Sequence, residues 1–274
     1  MHDAAIRIEP FFLGSPRGQL FCLYLAPADK EASQGILYLH PFAEEMHKSR
    51  RMAALQARAF ARAGFAVLQV DLTGCGDSAG DFGDAAWEAW RDDAQLAHAW
   101  LAGNVSGPIT LWGLRIGASL AVDIAPSLAN LSRLLLWQPV ANGDQYLTQF
   151  LRIKLASEML SEGQAQSGTQ ELRAKLDAGQ PIEIGGYMLA PDLARGLAKL
   201  KLAELPPTCA VEWIDVGAAP SDDIAPAGRR IVEAWRTAGT SVHTHTVRGE
   251  TFWSTQEITE CAQLVEITMK VMAQ

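Results

Sequence analysis

The sequence predicts an α/β protein: a mostly parallel, doubly wound sheet with helices on both faces. Two observations carry that expectation. Short apolar runs of strand character alternate along the chain with helix-forming stretches of roughly 10–20 residues. One of those runs, GILYLHPF, is continuously apolar, as suits a strand buried on both faces.

The N-terminus departs from the alternation and reads as an antiparallel pair. IRIEPFFL and GQLFCLYLAP are separated by the turn signal GSPRG. GILYLHPF follows, and KSRRMAALQARAFARA, from Lys48 to Ala63, has helix-forming composition and stops at Gly64. FAVLQVDL (65–72) is the next strand, then the loop TGCGDSAGDFG and a helix from about Asp84 to Leu101. PITLWGL (108–114) leads into a helix from Arg115 to Leu128, and RLLLWQPV (133–140) is a further strand. The pattern resumes with TCAVEWIDVG (208–217), a helix around 226–238, the strand SVHTHTVRG (241–249) and a last helix to Met272.

Between them lies an interruption that divides the chain. Residues 1–140 and 208–274 form the α/β core, and 141–207 form a cap-like insertion. The insertion holds YLTQFLRIKLASEML, the stretch EGQAQSGTQ, the strand-like IEIGGYML and the helical DLARGLAKLKL. An insertion after a sheet strand falls at the carboxyl ends of the strands, where open α/β sheets bind ligands.

Composition narrows the function classes. A net charge of −8 argues against nucleic acid or an anionic membrane surface as the main partner. Cys22, Cys75, Cys209 and Cys261 are widely spaced and form no C-x-x-C pair, so free thiols in a reducing cytoplasm are expected, and no metal site. No stretch approaches the roughly 18 apolar residues of a spanning helix, and MHDAAIRIEP lacks the pattern of a signal peptide. A cytoplasmic location, with no membrane span and no cofactor, is the expectation.

The segment ITLWGLRIG (109–117) carries the chemistry of interest. With serine in place of Arg115 it would read G-x-S-x-G, a tight strand-to-helix turn that lifts a nucleophile. A guanidinium stays protonated and has no lone pair, so Arg115 cannot attack. It also stands at a helix N-terminus, where a cation is disfavoured by about 0.3–1 kcal/mol, so a carboxylate or a bound anion is expected beside it.

Together, the D-x-x-G-x-G-x-S loop (DLTGCGDS), the G-x-R-x-G elbow and the terminal G-x-x-F resemble the α/β-hydrolase superfamily over nearly the whole chain. The longer segments HPFAEEMHKSRRM, LLLWQPVANGDQYLTQFLR and IEIGGYML resemble, more narrowly, the exosortase A system-associated hydrolases of type 2. That resemblance implies a bacterial protein-sorting and exopolysaccharide setting, a protein partner from that system, and hydrolysis.

The resemblance also assigns slots. Arg115 occupies the nucleophile position and Glu250 the histidine position, so an ion pair between them is expected. The acid slot follows WIDVG, where Asp222 and Asp223 are both available, with helix capping as the competing role. The oxyanion slot follows LYLHPF, and Phe42 and Ile116 keep the N–H groups it needs. His40 is expected to order its loop, Glu44 and Glu45 to face either pocket or water, and Arg152 to join a small anionic or acyl ligand. Cys75 is a further candidate nucleophile without an evident histidine, and His243 and His245 share one side of a strand.

Three functions remain open on these grounds. The chain is a hydrolase fold that has lost the Ser-His-Asp mechanism and binds an anionic ligand or partner, an ester or thioester hydrolase with a non-standard constellation, or a docking protein whose pocket is plugged.

Overall fold

The computed structural model describes residues 5–162, 168–218 and 223–273. Eight strands form one sheet in the order β1-β2-β4-β3-β5-β6-β9-β10. β1 (Ile6–Ser15) and β2 (Gly18–Pro27) pair antiparallel from Ser15 opposite Gly18 at the turn, and β2 pairs antiparallel with β4 (Ala66–Val70). From β4 onward through β3 (Gly35–Leu39), β5 (Ile109–Leu114), β6 (Leu131–Trp137), β9 (Ala210–Gly217) and β10 (Val242–Arg248) every pairing is parallel.

Alternating side chains of the central strands feed two apolar layers. Leu37, Leu39 and Leu111 enter one layer, against Trp87, Trp90 and Leu120 of α2 (Trp87–Ala102) and α3 (Ile116–Ile124). Ile36, Tyr38, Trp112 and Trp137 enter the other, against Phe60 of α1 (Ala43–Arg62) and Leu264 of α8 (Ala262–Met272). Trp137 is buried there without loss, because its Nε1–H donates to Thr268 Oγ1 at 3.0 Å.

Between β6 and β9 the chain forms α4 (Gly143–Glu162), α5 (Thr169–Asp177), the hairpin β7 (Ile182–Ile184) and β8 (Tyr187–Leu189), and α6 (Pro191–Lys199). Its two ends are paired at a neck, where Gly143 N donates to Leu200 O and Leu202 N donates to Ala141 O. Gly143 allows that approach, since a Cβ would meet backbone of Leu197. α7 (Pro226–Thr237) completes the core after β9. No described helix is long and apolar enough to cross a membrane.

Two helix boundaries differ from the sequence expectation, each for a local reason. α1 begins at Ala43, ahead of Lys48, and places Glu44 and Glu45 in the first turn, where carboxylates suit the helix dipole. The helix after the elbow ends at Ile124 and tightens into a 3₁₀ turn at Ala125–Ser127, because Pro126 lacks an N–H.

Candidate functional site at the elbow

Arg115 links β5 to α3 with φ 55° and ψ −121°, a backbone conformation that non-glycine residues adopt only under constraint. The constraint is close packing on both sides. A Cβ at Gly113 would come within 2.5 Å of Ala118 N, and one at Gly117 within 2.6 Å of His40 O. The two glycines let the start of α3 press against the ends of β5 and β3, so the loop after β3 lies beside the elbow.

The carboxylate that meets Arg115 is Glu45, on the first turn of α1. Arg115 Nε donates to Glu45 Oε1 at 3.1 Å, with both side chains less than one-fifth exposed. Tyr146 of α4 donates its Oη–H to Glu45 Oε2 at 2.9 Å and so fixes the carboxylate from the other side. The guanidinium carbon lies 5.7 Å from the Tyr146 ring centroid and 5.5 Å from that of Trp253, both within cation–π range. Burial and the Glu45 charge together hold the Tyr146 phenol well above its ordinary value, so it remains a donor.

The expected pairing of Arg115 with Glu250 is therefore corrected. Among the described residues, Glu45 is the carboxylate within ion-pair distance of Arg115, while Glu250 is exposed and uses its backbone carbonyl to accept from Phe252 N. The terminal loop reaches the elbow through Trp253 instead. The turn around Thr251 buries Phe252 and Trp253 and leaves the preceding Glu250 in solvent.

Above the ion pair lies a cavity of about 130 Å³. Arg115, Glu44 and Glu45 supply its charged lining, and Phe42, Tyr146, Phe150, Ile153 and Ile184 supply apolar wall. Phe42 is buried and packs against the rings of Tyr146 and Phe150. Tyr187 of the β7–β8 hairpin donates to Glu44 Oε1 at 3.3 Å, tying the exposed Glu44 to the rim. Ala43, like Arg115, has a positive φ (52°), so two constrained residues border one cavity. Among the described residues, the backbone N–H groups of Phe42 and Ile116 donate to no protein acceptor, and neither helix start carries a side-chain cap. The same holds of the Arg115 Nη donors.

The remaining candidates separate cleanly. His40 is buried and committed to its loop: Nδ1–H donates to Pro41 O at 2.6 Å and Nε2 accepts from Leu72 N at 3.1 Å. Burial depresses its pKa, which matches that neutral tautomer. Arg152, expected to join the ligand, is exposed on α4 and does not line the cavity, whereas Gln149, Phe150 and Ile153 of the same helix do. Asp222 lies outside the described residues. Asp223 is exposed, pairs with Arg229 at 3.2 Å and accepts from Ile224 N. The buried carboxylate of that region is Asp215, within β9, which sequence reading passed over. Its oxygens accept from Trp213 Nε1 at 2.7 Å and Ala225 N at 2.9 Å, and burial raises its pKa.

The glycine-rich loop is a structural latch. Asp71 Oδ2 accepts from Arg50 Nη2 at 2.8 Å and from Asp77 N at 3.0 Å, and Ser78 Oγ accepts from Phe21 N at 2.8 Å. Cys75 is buried within it, and burial pushes its thiol far up, away from the reactive thiolate. His243 and His245 both bond Glu212, at 3.0 and 2.8 Å, across the β9–β10 pair.

Solved structures share the fold of this chain. A carboxyl esterase from Bacillus coagulans superposes with a TM-score of 0.67 at 14% identity, covering 97% of this chain and 98% of its own. Est1E from Butyrivibrio proteoclasticus superposes with a TM-score of 0.65 at 14% identity, covering 97% and 99%. The chain has the α/β-hydrolase fold. Residues 23–144 of this α/β-hydrolase-fold protein, less than half of it, match the model of the X-Pro dipeptidyl-peptidase (S15) family. A curated human relative, Protein ABHD12B, is 32% identical over 109 residues, which span 39% of this chain and 28% of that protein.

The elements that bring Tyr146 and Trp253 to the elbow were legible only as patterns. Tyr146 and Phe150 are four apart on α4 and so share a face, and Trp253 follows the terminal glycine in GETFW.

Proposed function

We propose that this protein is a hydrolase-fold binding protein without the Ser-His-Asp mechanism, and that it holds a small anionic or acyl ligand in the cavity over Arg115. One observation carries the reading: an arginine with unpaired Nη donors stands at the elbow apex, where an attacking hydroxyl would be needed for acyl transfer. The amides of Phe42 and Ile116 flank that apex at the starts of α1 and α3, where partial positive charge favours an acceptor oxygen. His40 spends both ring nitrogens on its loop, so it offers no base. The longer motifs that resemble the exosortase A-associated hydrolases support a bacterial sorting or exopolysaccharide setting for the ligand or a protein partner.

In this reading the ion pair and the two rings hold the guanidinium still, so its terminal donors meet a ligand oxygen with little entropy left to lose. The test combines a fluorophosphonate probe, short aryl esters and ligand titration. The expected outcome is no covalent adduct, no turnover above that of Arg115→Gln, and a thermal shift with acyl ligands that Arg115→Gln abolishes. Turnover that disappears in Arg115→Gln would replace binding with catalysis.

A further inference from the structure

The charge of the cavity lining does not favour every ligand equally. Glu44 and Glu45 face it together with a single cation, Arg115, and Glu45 already neutralises that cation at 3.1 Å. Tyr146 holds Glu45 in place through Oε2, so the carboxylate is not free to swing aside. Phe42, Phe150, Ile153 and Ile184 give the lining its apolar wall, Gln149 and Tyr187 add uncharged polar groups, and among the described residues the Arg115 Nη groups and the Phe42 N–H are donors without a protein acceptor. A ligand carboxylate entering here would bring a second negative charge to a partly desolvated site in which the first is fixed. A neutral carbonyl oxygen would take the same donors without that repulsion, while its chain lies on the apolar wall.

We propose that Glu45 sets the ligand's charge, making the cavity selective for a neutral acyl compound, an ester or amide with a short apolar chain, over the corresponding free carboxylate. The inference rests on the cavity being the ligand site, and Glu45 is then the specificity-determining residue. Removing its charge frees Arg115 to pair with a ligand carboxylate and reverses the preference.

The probes are hexanamide, methyl hexanoate and sodium hexanoate, titrated at pH 7 by calorimetry or NMR against wild type, Glu45→Gln and Tyr146→Phe. Wild type is expected to bind the amide and the ester at least tenfold more tightly than hexanoate. In Glu45→Gln hexanoate gains at least tenfold and overtakes the amide, whereas Tyr146→Phe, which keeps the Glu45 charge, leaves amide favoured over acid. Equal or tighter hexanoate binding by wild type overturns the inference while leaving the ligand site standing, and that ratio decides even if Glu45→Gln does not fold. An unchanged ratio in folded Glu45→Gln also overturns it. No binding of any probe by wild type or by folded Glu45→Gln overturns the ligand-site reading and the inference with it.

Discussion

Replacing Arg115 by glycine should leave the protein more stable than replacing it by alanine, the reverse of the usual order. Both substitutions remove the Glu45 ion pair and the contacts with Tyr146 and Trp253, so those losses cancel in the comparison. What differs is the backbone at φ 55°, ψ −121°. Alanine keeps its strain, about 1–3 kcal/mol, and glycine removes it. Against that, glycine frees the unfolded chain and costs about 0.4–1 kcal/mol relative to alanine. The net expectation is that Arg115→Gly exceeds Arg115→Ala by about 0.5–2 kcal/mol. For a chain of this size that is a melting temperature of order 3 °C higher. Urea and thermal unfolding of the two variants measure it. If Arg115→Ala proves equally or more stable, the elbow is not strained, and packing at Gly113 and Gly117 does not hold it there.

Other outcomes follow from the same geometry. Gly117→Ala drives a Cβ into the backbone carbonyls of Leu39 and His40. Because backbone cannot rotate away, it should cost about 3 kcal/mol or more, read by urea unfolding. At Glu212, burial alone would raise the pKa, but the hydrogen bonds from His245 and His243 outweigh it and hold it below its ordinary value. Its stabilisation is therefore full above the unfolded value of 4.5 and lost as pH falls through the depressed folded value. Glu212→Gln should flatten the acid limb of a stability–pH curve, and an unchanged limb would contradict this. Cys75, buried with its thiol pushed up, should resist iodoacetamide at pH 8 until the protein is unfolded, as peptide mapping would report.

The parallel sheet and the elbow were legible because their signals are local. Apolar runs, glycine stops and the spacing of Gly113 and Gly117 each arise from constraints between near neighbours. The partner of Arg115 was not local. Glu45 lies 70 residues away in sequence, whereas Glu250 stands at the position that resembles the hydrolase histidine. Consecutive helix residues point about 100° apart, so only one of Glu44 and Glu45 could follow the buried row of Ala43, Met46 and Ser49. That row was visible in the sequence once the helix was started at Ala43 rather than at Lys48. Arg152 sits on the same helix as Tyr146, Gln149, Phe150 and Ile153, which line the cavity, so the sequence pointed to the helix and not to the residues of it that face the site.

The central claim is that the elbow binds an acyl group and does not cleave it. Incubating stoichiometric protein with p-nitrophenyl hexanoate and counting bound ester against released nitrophenol tests it most directly. Intact ester should be recovered from the complex, with nitrophenol release no faster than in Arg115→Gln. Release in wild type that rises above that background and is lost in Arg115→Gln would contradict it.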